Sequence, residues 1–174
     1  MKIAVIGYSG AGKSTLAAAL GEKYSLDVLH LDCVHFLPGW EIRPKEEKEE
    51  AVSSFLDSHD GWVIDGNYTK LSYERRMKEA DMIVFLNFNR LNCFFRAYGR
   101  YLRYKGVSRR SMADGCDEKF DLEFAKWILW KSRTKLARAR YKDLERRYPE
   151  KFVMVRNQLE LDRFYAENSL TPEL

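Results

Sequence analysis

The sequence predicts an α/β fold built around a parallel β-sheet, and three observations lead to this prediction. Five short apolar runs are spread along the 174 residues. The runs are almost continuously apolar, as strands covered by helices on both faces must be. Segments of helical composition separate them, and this alternation is typical of parallel sheets with right-handed crossovers. The predicted strands are residues 3–6, 28–31, 62–64, 82–86 and 152–155.

The predicted helices fill the intervals between these strands. Three of them cover residues 13–24, 45–58 and 69–80, and the long region 90–147 must contain at least two more. Within that region, glycines and serines interrupt the helical pattern over residues 105–117. Because Gly and Ser disfavour a continuous helix, we expect this segment to be a mobile lid.

Length and composition indicate one globular domain, residues 1–174, since 45% of the side chains are hydrophobic and can form a core. No apolar run approaches the roughly 18 residues that a membrane-spanning helix needs. The N terminus opens on a strand-like run rather than a secretory leader, so we expect a cytoplasmic protein without a membrane partner. The three cysteines form no close pair, which predicts reduced thiols rather than disulfides or a zinc site.

The net charge of +4 is unevenly distributed along the chain. Residues 1–89 contain 10 basic and 14 acidic side chains, whereas residues 90–147 contain 17 basic and 7 acidic ones. Such a basic excess is compatible with a solvated helix face. It is also compatible with a surface for nucleic acid, for a membrane or for a polyphosphate.

The residues directly after the first strand form a glycine-rich pattern for binding phosphates. The stretch Gly7-Tyr8-Ser9-Gly10-Ala11-Gly12-Lys13-Ser14-Thr15 satisfies GxxxxGK[ST] and continues into an Ala-rich helix. Glycines let successive backbone N–H groups point inward at phosphate oxygens, and the helix N-terminus adds a partial positive charge. In this pattern the lysine bridges the β- and γ-phosphates, the serine hydroxyl binds Mg²⁺, and the threonine supports the helix start. The residues predicted to hold a nucleoside triphosphate are Gly7, Ser9, Gly10, Ala11, Gly12, Lys13, Ser14 and Thr15.

Two carboxylates follow neighbouring predicted strands. Asp32 comes at the end of the second strand and Asp65 at the end of the third. In a parallel sheet both emerge at the edge that carries the phosphate-binding loop. One can hold Mg²⁺, with Asp65 assigned together with Ser14, and the other can orient an acceptor or take up a hydroxyl proton. The sequence leaves open which carboxylate has which role, although Gly66 lets a substrate approach the backbone beside Asp65.

Arginines in the basic segment are candidates for contacts with transferred phosphate. Arg96 and Arg100 are spaced i, i+4 and therefore share one helix face. Arg109 and Arg110 lie in the predicted lid, from which they could neutralise charge that develops on a phosphoryl group. Arginine suits this role because its planar fork binds phosphate oxygens in bidentate fashion.

Other conspicuous side chains have plainer interpretations. Trp127 and Trp130, with Phe120, Phe124 and Ile128, are predicted to form a mostly core-facing stripe on the helix after the lid. The histidines show no metal-ligand spacing, but His35 is close enough to Asp32 to line an acceptor pocket. Arg43, beyond the Pro-Gly turn, could reach an anionic acceptor.

These residues resemble the adenylate kinase and shikimate kinase branch of the small P-loop kinases. The phosphate-binding loop, the strand-end Asp65-Gly66-Asn67, the Arg-x-x-x-Arg pair and the Arg-bearing lid carry this resemblance. More narrowly, the chain resembles the bacterial topology modulation proteins. The blocks that carry the narrower resemblance are Leu31-Asp32, Pro38-Gly39-Trp40, Val63-Ile64-Asp65-Gly66-Asn67-Tyr68, Gly115-Cys116 and Glu123-Phe124 with Trp127.

The resemblance implies a three-layer P-loop NTPase fold whose five parallel strands follow the order 2-3-1-4-5. It also implies ATP with Mg²⁺, a closing lid, and an acceptor pocket between the second and third strands. Carried onto this chain, it implies catalytic roles for Lys13, Arg96 and Arg100, and an adenine contact for Arg156. In adenylate kinases the strand-end Asp-Gly is followed by Phe-Pro-Arg, whereas here Asn67-Tyr68-Thr69 follows, which argues against AMP as the acceptor.

Two functions of different classes are compatible with these features. The first is an ATP-dependent kinase that transfers the γ-phosphoryl group to a small acceptor, with nucleotide-like compounds favoured by the surplus of arginines. The alternative is a nucleotide-dependent, DNA-binding regulator of DNA topology, in which the basic segment grips the phosphate backbone. No helix-turn-helix or RNA-binding aromatic motif accompanies the basic residues, so the kinase is the preferred interpretation.

Overall fold

The computed structural model describes residues 1–106, 111–113 and 115–171. Its centre is a parallel sheet of five strands, and a two-stranded antiparallel hairpin lies beside it. The strands are β1 Lys2–Gly7, β2 Asp27–His30, β3 Phe36–Leu37, β4 Glu41–Ile42, β5 Trp62–Asp65, β6 Met82–Leu86 and β7 Phe152–Val155. The helices are α1 Lys13–Tyr24, α2 Leu31–His35, α3 Lys45–Ser58, α4 Tyr73–Glu79, α5 Arg90–Tyr104, α6 Leu122–Leu129, α7 Lys135–Arg147 and α8 Gln158–Glu167.

The central sheet has the order β2-β5-β1-β6-β7, so it differs in numbering from the expected 2-3-1-4-5. The hairpin of β3 and β4, which the sequence analysis did not foresee, accounts for the difference. It inserts two strands between β2 and β5 that do not join the sheet, and the five parallel strands on their own follow one another as expected. β1 is central, because Ala4 pairs with Ile64 on one side and with Ile83 on the other.

The middle of β1 is completely buried between layers of helices, since the side chains from Ile3 to Ile6 have no exposed surface. Burying an aliphatic side chain of this size stabilises the fold by roughly 1.5–3 kcal/mol. The phosphate-binding loop therefore starts from a central strand of the sheet whose middle is fully buried. The prediction of a covered parallel sheet, which rested on the apolar composition of the strands, is confirmed.

Several predicted boundaries need correction. The second strand ends at His30, so Asp32 belongs to the first turn of the short helix α2 rather than to a strand end. Helix α4 begins at Tyr73, later than predicted, after a loop that carries Asn67. Within its described residues, the long basic region contains the helices α5, α6 and α7, and α8 follows β7 where no helix was predicted.

The predicted core-facing stripe holds for Phe120, Phe124 and Ile128, which pack in or against the core, and is wrong for the two tryptophans. Trp127 and Trp130 are 46% and 61% exposed, whereas Ile128 between them is completely buried. α6 has only 8 residues and packs through Ile128, so the wide aromatic rings on either side face outward. After α8, Leu170 packs into the core, and its N–H donates to the Tyr165 carbonyl at 2.9 Å.

Among the described residues, none of the helices has the length and apolar character needed to cross a bilayer. The predicted lid, 105–117, is described in part. Arg109 and Arg110, its two candidate catalytic arginines, lie outside the described residues, so their role stays a prediction.

Candidate active site

The phosphate-binding loop connects β1 to α1 and packs against α5. Gly10 and Gly12 have φ angles of 81° and 96°, in the left-handed region that favours glycine. A Cβ on Gly10 would overlap the backbone carbonyl of Cys93 in α5. The Ala11 N–H donates to the Tyr8 carbonyl at 3.1 Å and closes the turn. The glycines thus serve both the loop conformation and its close approach to a neighbouring helix.

Lys13 opens α1 and folds back over the loop that precedes it. Its ammonium donates to the carbonyl oxygen of Tyr8 at 3.3 Å. Together with the free N–H groups of the first helical turn, the ammonium gives this end of the loop a concentrated positive charge. This arrangement is suited to binding a polyphosphate anion.

Asn67 fastens the start of the loop to the end of β5. Its side-chain oxygen accepts from the Gly7 N–H at 3.0 Å, and its amide donates to the Gly7 carbonyl. Both backbone groups of one residue are thereby satisfied by one side chain. In the sequence, Asn67 stands out only as part of a strand-end block, because nothing there reveals that its partner is the Gly7 backbone.

Asp65 lies buried at the end of β5, beside the P-loop. Its Oδ2 is 3.0 Å from His30 Nδ1 at the end of β2. Burial acts to raise the pKa of Asp65, but the hydrogen bond with His30, the charge of Lys13 and the Ser14 hydroxyl outweigh it and lower the pKa below its ordinary value. Asp65 is therefore an anion at neutral pH. His30 was given no role by the sequence analysis, because its pairing depends on the β2–β5 register.

Asp32 has different surroundings, although it is near the same edge of the sheet. It is exposed, and the Tyr68 hydroxyl donates to its Oδ1 at 2.6 Å. Burial, together with the charge of Asp32, raises the pKa of Tyr68 far above its usual range, so the hydroxyl keeps its proton and remains a donor. The two carboxylates are thus distinguished by burial and by partners.

His35, at the end of α2, is part of the surroundings of Asp32. Its ring lies 4.6 Å from the Tyr68 ring, and its Nδ1 is 3.4 Å from the ammonium of the buried Lys48. Burial and Lys48 lower the pKa of His35 against the opposing effect of Asp32, so the ring is neutral at neutral pH. An ammonium can only donate, which places the single ring proton of His35 on Nε2.

A completely buried arginine supports the loop between β5 and α4. Arg76 donates to three backbone carbonyls, those of Leu71 at 2.9 Å, Tyr68 at 2.8 Å and Gly66 at 3.3 Å. Burial lowers its pKa to about 10, so the guanidinium is charged at neutral pH. Sequence reasoning did not identify it, since nothing distinguishes it from its exposed neighbours on α4.

The predicted arginines have separate positions. Arg96 stacks over the Phe88 ring, with its guanidinium carbon 4.7 Å from the ring centroid. A Cβ atom added to Gly12 would lie 2.8 Å from the Arg96 guanidinium. Arg100 is bound to the buried Glu118 at 2.7 Å. Arg156 follows β7 and approaches Glu160 at 3.6 Å, away from the residues that line the large cleft.

Two side chains that were not predicted to belong to the site contact the phosphate-binding loop. Arg133, before α7, covers the Tyr8 ring at 3.6 Å from its centroid. Trp127 donates from Nε1 to the Ser9 hydroxyl at 3.2 Å. Both residues follow the predicted lid in the sequence, so the segment after the lid packs against the phosphate-binding loop.

One large cleft connects these features. Its volume is about 1620 Å³, and it extends from Lys13 and Ser14 past Arg96 to Asp32 and the β3–β4 hairpin. Arg43 is not among its lining residues and instead donates to the Val34 carbonyl at 2.9 Å. The predicted phosphate-binding loop and Asp32 therefore adjoin one cleft, whereas Asp65 lies buried behind its lining residues Ser14, His30 and Gly66.

Comparison with known proteins supports this description at the level of the fold. No family model matches the chain, and no curated protein shows significant sequence similarity to it. A gluconokinase from Sinorhizobium meliloti is 20% identical, with a TM-score of 0.52 over 96% of this chain and 88% of that chain. An unliganded sugar kinase from a Janibacter species is 14% identical, with a TM-score of 0.49 over 98% of this chain and 95% of that one. The narrower resemblance to topology modulation proteins stays a prediction, and the comparison shows that the chain shares its fold with a gluconokinase.

Proposed function

We propose that this chain is an ATP-dependent kinase that transfers the γ-phosphoryl group to a small acceptor. The observation that carries the proposal is the extent of the cleft, about 1620 Å³ against the roughly 300–1,000 Å³ of a typical single-ligand pocket. Both the phosphate-binding loop and the Asp32 carboxylate line it, which suits two substrates bound side by side. The fold that it shares with a gluconokinase is one that carries this chemistry.

Asp65 and Ser14 suit Mg²⁺, because a buried anionic carboxylate next to a hydroxyl provides the few oxygen ligands that Mg²⁺ takes from proteins. The ion would neutralise phosphate charge. Lys13 and the loop N–H groups bind the β- and γ-phosphates, and Arg96 adds a cation from α5. Arg100, Arg109, Arg110 and Arg156 remain proposals for phosphate or adenine contacts.

Asp32 is the proposed base when the acceptor is a hydroxyl compound. The acceptor oxygen forms a bond to the γ-phosphorus as its proton passes to the Asp32 carboxylate. The bond from that phosphorus to the β,γ-bridging oxygen breaks, and its electron pair leaves with ADP. The Tyr68 hydroxyl orients the carboxylate by donating to its other side at 2.6 Å.

The alternative of DNA binding gains no support from the basic segment. Several of its cations are bound within the fold, since Arg100 pairs with Glu118 at 2.7 Å and Arg147 with Glu74 at 2.6 Å. Arg133 donates to the Phe88 carbonyl at 2.8 Å. Cations held in this way contribute little to binding a phosphate backbone.

The test is a transfer assay with Mg-ATP and a panel of nucleosides, nucleoside monophosphates, sugars and sugar acids. ADP and phosphorylated acceptor are both measured, because hydrolysis alone also gives ADP. We expect one acceptor class to be phosphorylated. Equal ADP formation with every compound, and with none, would count against a kinase.

Matched variants identify the site of the reaction. Lys13→Ala removes the ammonium at the loop, and we expect transfer to fall by about 100-fold or more. Lys23→Ala removes an exposed lysine at the other end of the same helix and should leave transfer unchanged. Similar losses in both variants would argue that the ammonium at the loop has no special role.

A further inference from the structure

The acceptor end of the cleft is lined by an aromatic wall, which consists of Tyr68, His35, Phe36 and Trp40. The four rings are in contact one after another. Tyr68 lies 4.6 Å from His35, which lies 4.6 Å from Phe36, which lies 5.1 Å from Trp40, all between ring centroids. Each ring is partly exposed, so the wall presents aromatic surface to whatever occupies this part of the cleft.

The far end of the wall belongs to the β3–β4 hairpin, which is held in place from outside the central sheet. The Gly39 N–H donates to the Gly115 carbonyl at 3.2 Å, and Cys116 Sγ donates to the Leu37 carbonyl at 3.3 Å. Trp40 itself has a φ of 67°, which is uncommon for a residue other than glycine. A bulky side chain kept in that conformation at a cleft indicates that the ring has a use there.

The polar groups that contact the wall include both an anion, Asp32, and a cation, Lys119. Asp32 and Tyr68 bind one another at the near end, and His35 is a neutral ring whose proton is on Nε2. Lys119 lies over the Trp40 ring at 4.3 Å. A phosphate acceptor would meet the Asp32 carboxylate, a repulsive contact, whereas a hydroxyl can donate to it. A sugar acid has no planar ring that could stack on the aromatic wall.

From this geometry we infer that the acceptor is a nucleoside, whose planar base stacks on the aromatic wall while a ribose hydroxyl meets Asp32. The inference rests on the proposed kinase function and names its substrate class. Base–aromatic stacking tolerates different bases, so several nucleosides should serve. The balanced step is the hydroxyl transfer described above, with ADP and a nucleoside monophosphate as products.

Two variants of one residue test the stacking. Trp40→Leu keeps apolar volume but removes the ring, and we expect the KM for adenosine or cytidine to rise about tenfold or more while the KM for ATP changes little. Trp40→Phe restores a ring and should recover most of the loss. Trp130→Leu, at an exposed tryptophan outside the cleft lining, is the matched control and should leave both KM values unchanged.

Binding without ATP gives an independent readout. Adenosine should quench tryptophan fluorescence in the wild type and in Trp130→Leu, and clearly less in Trp40→Phe, in which Trp127 still lines the cleft. Transfer to gluconate or AMP with none to nucleosides would overturn the inference and leave the kinase function standing. No transfer to any compound would refute the kinase function itself and the inference with it.

Discussion

At the scale of single residues, the site depends on charges that the fold keeps in defined states. Asp65 is the clearest case, because its burial acts to raise its pKa. The neighbouring His30, Lys13 and Ser14 keep its carboxylate ionised. Asp65, the carboxylate proposed to face a metal ion, thus differs in its surroundings from Asp32, which is exposed and accepts a hydrogen bond from the Tyr68 hydroxyl.

The lowered pKa of Asp65 makes a prediction about pH. Its pKa in the fold lies below the ordinary 3.8. The ionised carboxylate therefore stabilises the fold above that ordinary value, and the contribution is lost as the pH falls through the lowered pKa. We expect Asp65→Asn to reduce the free energy of unfolding by about 1–3 kcal/mol at neutral pH, and the difference to shrink below about pH 4. Urea unfolding of both proteins across this range measures it, and a difference independent of pH would contradict the assignment.

Arg76 makes a second prediction, as a positioning residue. Arg76→Lys keeps the charge but loses the planar fork that reaches three carbonyls, which leaves buried acceptors unsatisfied. We expect the free energy of unfolding to fall by about 2–4 kcal/mol. Because the carbonyls belong to the loop that carries Asn67 and Tyr68, the acceptor KM should rise more than the ATP KM.

The control for Arg76 is its neighbour Arg75, whose partners Asp57 and Glu79 lie at the surface. Arg75→Lys should change the free energy of unfolding by less than about 1 kcal/mol and neither KM. Equal rises of the two KM values in Arg76→Lys would show a general loss of structure instead of a displaced loop.

At the scale of elements, the phosphate-binding loop packs so closely against α5 that there is no room for a Cβ atom at Gly10. Gly10→Ala places a methyl group against the Cys93 carbonyl at a residue with positive φ. We expect a loss of about 1–3 kcal/mol in the free energy of unfolding and weaker ATP binding. Gly99→Ala, in α5 itself with nothing within 4 Å, is the matched control. It should stabilise the helix by up to about 1 kcal/mol, and equal destabilisation by both changes would refute the close fit.

The secondary-structure elements also show which parts of the fold could be predicted from the sequence. The strands of the central sheet and the loop after β1 were predictable, because apolar runs and glycine spacing are local signals. The β3–β4 hairpin has two residues in each strand, too few to produce a periodic pattern. Asn67 and His30 gain their roles from partners 60 and 35 residues away, and such pairings appear only once strands are in register.

At the scale of the whole molecule, the cleft unites a cationic end and an aromatic end. The cationic end implies that phosphate groups account for most of the nucleotide affinity. We therefore expect inorganic tripolyphosphate with Mg²⁺, as well as Mg-ATP, to raise the melting temperature of the chain. A ligand at 100 times its Kd should add about 2.7 kcal/mol to the free energy of unfolding. Protection by adenosine alone and none by tripolyphosphate would contradict this division of the cleft.

The central claim is that the loop from Gly7 to Thr15 holds the phosphates of a nucleoside triphosphate, and calorimetry tests it most directly. Titration of the folded protein with ATP in magnesium buffer should give one binding event per chain. Lys13→Ala should weaken that binding by about tenfold or more, and Lys23→Ala should not. An absence of heat with the wild type up to about 1 mM ATP, where a Kd corresponds to only about 4.1 kcal/mol, would contradict the account.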